Sequence, residues 1–392
     1  MSSEPVWITG IGLVSSLGEG AEPHLAAMRA PAGTRPVVDE TGFAPFPIHP
    51  LPSLELDRQI LKRGDQRQME PWQRLGTYAA GLAIDDAGAR GLVSDMHLVV
   101  AAGGGERDVA LDEAVLAELV TLPPEQAAAV LNERLAGGLR PTLFLAQLSN
   151  LMAGNISIVH GVTGSSRTLM GEECAGADAV RVAVARLGEG RGGIALVGSA
   201  YSASRWDMLL VYGLSGLLRR GAWAPFAERA GGGGLITGSV GAFLVLETRS
   251  HAQARGARGL AEIATVATGA ARRTAEDTAR ASAAGLAGNL RSLLRPGYAV
   301  VSAASGASEP AEEEAGFLAD LRRAGPEQGQ VRHAAERLGH SIEASFPAGL
   351  ALAALELAHG GSDAPPQALV TGFGAWRGEA LALLEPVRER RA

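Results

Sequence analysis

The chain contains one cysteine, Cys174, in the run Gly171-Glu172-Glu173-Cys174-Ala175-Gly176. An apolar stretch, Thr168-Leu169-Met170, precedes this run, and a helix-like pattern from Ala177 to Leu187 follows it. A thiol at the head of a helix is suited to nucleophilic chemistry, because the dipole and the free N–H groups there lower its pKa. A carboxylate at the same head, Glu173, is suited to a structural role, since its charge is stabilised by ~0.3–1 kcal/mol and it can accept a backbone N–H. Cys174 also reads as a small buried residue, since free cysteines are commonly inert core. His340, after Gly339, is the imidazole that could serve such a site, or a core histidine bonded to backbone. His160, His333 and His359 show no ligand spacing with a carboxylate, so no metal is expected.

A single cysteine excludes an internal disulfide and a cysteine-based zinc site. At 392 residues and 46% hydrophobic, the chain is long enough for two core-bearing halves and too apolar for disorder. A net charge of −7 without long runs argues against nucleic acid as the main partner, which would need a concentrated basic patch. No apolar run approaches the ~18 residues of a membrane span. The N-terminal residues Met1 to Trp7 have no secretory pattern, so a cytoplasmic location is expected.

The elements that must position these groups alternate along the chain. Val6 to Gly12, His97 to Ala102, Ile194 to Gly198 and Ala242 to Glu247 read as buried strands. Helical spacing runs from Met69 to Asp86, stopped by Gly88, and a long apolar helix is expected from Pro141 to His160. Between them, Val109 to Leu135 carries two helical patterns split by Pro123-Pro124 and reads as an insertion. Gly231 to Gly234 reads as a mobile turn; with no lysine and no helix start after it, a phosphate loop is a weak reading. From about Ser250 the order repeats in outline. Strands are expected at Ala261 to Ala267, Tyr298 to Ala303 and Ala368 to Thr371, with helices at Thr274 to Leu294, Ala311 to Arg323 and Ser345 to His359. Glu379 to Leu384 closes the chain, and two such halves imply stacked mixed sheets with helices between and outside them.

Several segments together resemble the β-ketoacyl-ACP synthase II branch of the thiolase superfamily: Val6 to Gly18, Met69 to Gly88, Pro141 to Gly164, Gly241 to Ala257, Gly339-His340 and Gly372-Phe373-Gly374. The resemblance implies an α/β thiolase fold, five-layered α-β-α-β-α, made from an N-terminal half at 1–250, with an insertion at 105–140, and a C-terminal half at 251–392. It implies dimers, acyl carrier protein (ACP) as partner, no cofactor, and decarboxylative Claisen condensation by a cysteine, two histidines and a lysine.

Carried over residue by residue, that set is incomplete here. The family nucleophile lies nine residues after the glycine matching Gly164 and three before the one matching Gly176, and both counts reach Glu173 rather than Cys174. Ser305 falls on the first histidine and Ala335 on the lysine, while His340 keeps the second histidine. Phe373 lies in the oxyanion-type loop, and Trp376 reads as a plug in the old mouth. A carboxylate is a poor acyl carrier and repels an enolate, and losing one oxyanion donor alone costs ~10²–10³ in rate. The pattern looks like the chain-length factor, an inactive paralogue that pairs with an active ketosynthase as a heterodimer; a homodimer is the other assembly. The dimer edge is expected near Leu143 to Val159 and the Ile194 to Ser199 strand. Gly103, Gly104 and Gly105 leave no side-chain stop and imply a tunnel open to a long acyl chain; a flexible turn is the plainer reading. The competing function is an active 3-oxoacyl-ACP synthase using Cys174 and His340.

Overall fold

The structure, a computed structural model, describes residues 4–140, 143–229 and 234–387. Its first half is built on strands β1 (Val6–Ser15), β2 (His97–Ala101), β3 (Ser166–Leu169), β4 (Ile194–Tyr201) and β5 (Val240–Thr248). Its second half uses β6 (Ala261–Gly269), β7 (Tyr298–Ser302), β8 (Gln328–His333), β9 (Ala368–Phe373) and β10 (Glu379–Glu385). The spatial order is β3-β2-β4-β5-β1 in the first and β8-β7-β9-β10-β6 in the second. By order of appearance the two halves are arranged identically. The pairing senses also match: β2 runs parallel to β3 and β4, as β7 does to β8 and β9, and the remaining pairs are antiparallel. The halves join where Val6 and Ile8 of β1 pair with Ile263 and Ala261 of β6.

Helices fill three layers. Outside the first half lie α1 (Pro71–Asp86) and, beyond the exposed pair α2 (Val109–Leu119) and α3 (Pro124–Gly138), helix α4 (Leu151–His160). Between the halves lie α5 (Glu173–Gly188) and the later α9 (Ser345–His359), and a short surface helix, α6 (Trp206–Leu214), follows β4. Outside the second half lie α7 (Ala279–Leu286) and α8 (Ser308–Ala324). This is the five-layered thiolase fold. Strand periodicity assigns the layers: Leu98 and Val100 of β2 pack outward with α1 and α4, whereas Val99 and Ala101 pack inward with α5 and α9. Nearly every residue of α9 is buried, which explains why its sequence is apolar all round rather than along one stripe. Gly176 lets α5 approach the turn before α9, since any side chain there would overlap the Glu343 carbonyl oxygen.

Several expected boundaries need correction. The Pro141 to His160 helix is broken: a short turn of helix at Leu143–Ala146 precedes α4, and residues 141 and 142 lie outside the described residues. The Thr274 to Leu294 helix shrinks to α7 and a 3-10 turn at Arg291–Leu293, because Thr278 caps the helix by accepting the Ala281 N–H. Most of the expected Gly231 to Gly234 turn lies outside the described residues. The Ile194 to Ser199 strand is no edge; it lies inside the sheet between β2 and β5, wholly buried. The edge of that sheet is β3, whose polar first residues carry no buried-strand pattern. Among the described residues, no helix is long and apolar enough to cross a membrane.

Candidate functional site

The two central helices begin at the same place. Glu173 is the first residue of α5, Ser345 is the first of α9, and the His340 ring lies between them. His340 Nε2 donates to Glu173 Oε1 at 2.8 Å, and Nδ1 lies 3.1 Å from Ser345 Oγ. The Ala375 N–H, in the turn after β9, also donates to Glu173 Oε1, at 2.9 Å. The main chain fixes the imidazole as well: the His340 N–H donates to Ile236 and its carbonyl accepts from Gly238. Gly339 enters this bridge at φ +74°, a conformation that glycine adopts without steric cost.

Glu173 is 6% exposed and His340 fully buried. Burial pushes the Glu173 carboxyl up, but the hydrogen bond and charge of His340 and the Ala375 amide outweigh it and hold the group below its ordinary range. Two N–H donors therefore converge on one oxygen at distances suited to a developing oxyanion, and Glu173 Oε1 is already in that position. Its other oxygen, Oε2, is buried without a hydrogen-bond partner among the described residues.

Cys174, one residue on, points elsewhere. Its Sγ lies 3.6 Å from Asp178 Oδ2 and 3.8 Å from the Gly269 carbonyl, so its partners belong to α5 and β6. Burial, then the Asp178 carboxylate, push the thiol up to about 12, which leaves it protonated at neutral pH. Ser305 is fully buried, yet its hydroxyl accepts the Ala307 N–H of its own turn and its N–H donates to the Phe373 carbonyl. Ala335 is buried on the short helix Ala334–Leu338. The only lysine in the chain is Lys62. The Phe373 ring packs outward, 6.0 Å from Phe317, so the loop amide that reaches Glu173 is that of Ala375 rather than Phe373. Trp376 is half-buried and stacks on Tyr212 with ring centres 4.5 Å apart. Among the described residues no three His, Cys, Asp or Glu side chains converge as a metal-ion site requires.

The three positions of the glycine segment differ in their surroundings. Arg205, paired with Asp207 at 2.7 Å, donates to the Gly104 and Gly105 carbonyls and holds the loop in place. The room beside Gly103 is taken: a side-chain carbon there would lie 2.5 Å from Glu343 Oε1, whereas Gly104 faces open space. Burial pushes the Glu343 carboxyl up to about 8 and Glu173 adds to the shift, so the group is largely protonated at neutral pH. Sequence reasoning missed Glu343. A lone carboxylate between Ile342 and Ala344, ahead of an apolar helix, was the signal, because a buried polar residue carries more information than an exposed one.

The model of the beta-ketoacyl synthase N-terminal domain matches residues 53–252, just over half of the chain. Nodulation protein E of Rhizobium leguminosarum bv. trifolii is 27% identical over 277 residues, 66% of this chain and 62% of that protein. The 3-oxoacyl-[acyl-carrier-protein] synthase 2 of Vibrio harveyi is 26% identical over 273 residues, 67% of this chain and 62% of the relative. The chain thus spans about three-fifths of the length of these relatives. Among solved structures, the ishigamide ketosynthase/chain length factor superposes with a TM-score of 0.77 at 21% identity, covering 98% of this chain and 100% of the other. With a matching domain over most of the first half and the fold over nearly the whole length, the chain belongs to the beta-ketoacyl synthase family.

Proposed function

We propose that this chain is a non-condensing subunit of fatty-acid or polyketide elongation, a chain-length-factor type of partner for an active ketosynthase that works on chains carried by ACP. The observation that carries this reading is Glu173 Oε1, held by His340 and Ala375 where a reacting acyl oxygen would need those donors. No thiol faces that imidazole, and Ser305 offers its hydroxyl to its own backbone. The names of the relatives support the wider setting, 3-oxoacyl-ACP synthesis and a ketosynthase/chain length factor pair. The matching strand orders favour a division near residue 250.

Pairing would use the edge strand β3 with α4 beside it. Phe144, Ile158 and Met170 are each at least 70% exposed in this region, an apolar surface suited to a partner subunit. Purified alone, the protein is expected to show no condensation of acyl-ACP with malonyl-ACP; mixed with an active paralogue, it should form a stable dimer and permit turnover. Turnover by the isolated chain, abolished by Cys174→Ala, would establish the competing reading as an active synthase. The orientation of Cys174 towards Asp178 and its raised pKa count against that outcome.

A further inference from the structure

A cluster of polar groups lies beside Glu173 that the proposed role does not use. The Tyr201 and Tyr212 hydroxyls are buried with no hydrogen-bond partner among the described residues, as are Glu173 Oε2 and Glu106 Oε1. Tyr212 lies within electrostatic reach of Glu173, Tyr201 and Glu343, and Tyr201 within reach of Arg205, Glu343 and Glu106. Glu343, within electrostatic reach of both tyrosines, is 6% exposed, with its carboxyl against Gly103 and its main chain against Gly176. It therefore bridges the loop after β2 and the central helix α5, one from each side of the interior.

The chain bends sharply to place it there. Ile342, immediately before, has φ +47°, a left-handed conformation that is costly for a β-branched residue. Ile342 is buried, and the turn is held on both sides by the His340 bridge and by Ser345 Oγ, which accepts the Ser341 N–H at 3.0 Å. Surroundings that maintain a strained residue fix the direction of the next side chain, here into the interior.

We propose that Glu343 is the wedge that keeps this subunit from accepting an acyl chain of its own. Its bulk occupies the room that Gly103 leaves. The buried phenols and carboxyl oxygens near it also make a poor lining for an alkyl chain, since a hydrocarbon seated among them would leave these polar groups without a hydrogen-bond partner. The ligand class refused is a saturated acyl thioester, and the selectivity lies in Glu343 rather than in the glycines. This inference rests on the reading of the chain as a synthase-like subunit exposed to acyl carriers. Failure of that reading would appear in the condensation assay, whereas failure of this one appears in the binding behaviour of the chain alone.

The test is calorimetric titration of the full chain with a dodecanoyl thioester of N-acetylcysteamine. Wild type and Glu343→Gln, which keeps the bulk, should show no saturable binding, whereas Glu343→Ala should bind at least roughly tenfold more tightly than wild type can. Glu343→Ser is read in the same way if the alanine variant does not fold. Gly103→Ala should lower the melting temperature, and Glu343→Ala in the same chain should remove that penalty, which places the two groups in contact. Saturable binding by wild type overturns the proposal, and so does a folded Glu343→Ala or Glu343→Ser protein that binds no better than wild type.

Discussion

The heads of the two central helices answer the same structural question with different chemistry. Helix α5 begins with a buried carboxylate and α9 with a hydroxyl, and each holds one nitrogen of the same imidazole. Glu173 brings a charge into a dry interior, so its energetics depend on His340 and the Ala375 amide being in place. Ser345 brings a neutral group that also accepts the Ser341 N–H, and it would tolerate a change in its neighbours more readily. Two halves with the same strand order thus place unequal partners at equivalent points, one electrostatic and one simply geometric.

The strongest way to break this asymmetry is Glu173→Ala. It strips the buried imidazole of its acceptor and should cost about 3–5 kcal/mol in denaturant unfolding at neutral pH. The pH dependence is specific. Because the folded carboxyl titrates below its ordinary value of 4.5, its contribution is fully present above that pH and is lost as pH falls through the folded value. The gap between wild type and variant should therefore close on acidification; a constant gap down to pH 3 would show that Glu173 acts by packing alone.

A smaller effect is expected at the other head. Ser345→Ala leaves His340 Nδ1 and the Ser341 N–H without their partner and should cost about 1–3 kcal/mol. A loss equal to that of Glu173→Ala would erase the distinction between the two helices. The smallest effect belongs to Cys174→Ala. The thiol makes only long contacts to Asp178 and Gly269, and the change should alter stability by roughly 1 kcal/mol or less. Alkylation rates checked alongside should be slow at pH 8, as a thiol pushed up to about 12 requires.

The exposed edge differs in the same sense from the interior strand beside it. β4 is wholly buried and apolar from Ile194 to Gly198, so it reads at once as a buried strand, but nothing in its residues tells which strand closes the sheet. That position belongs to β3, four residues whose serine and arginine conceal their role. Helix lengths escape the sequence for a related reason. Apolar spacing continues past the points where Thr278 caps α7 and where the chain before α4 turns, and periodicity carries no mark for a stop made by a side-chain hydrogen bond.

Local residue order by itself determined the strand-helix rhythm and the doubled plan, because periodicity and spacing are properties of neighbours along the chain; the count to Glu173 needed the family resemblance, and the helix read from Ala177 in fact begins four residues earlier, at Glu173. Only the tertiary structure decided that Glu173 meets His340 across 167 residues, that Ala375 rather than Phe373 supplies the loop amide, and that Glu343 takes the room beside Gly103. Those contacts join segments from different halves, and their geometry follows from how the two halves of the continuous sheet and the two central helices pack, which no local pattern records.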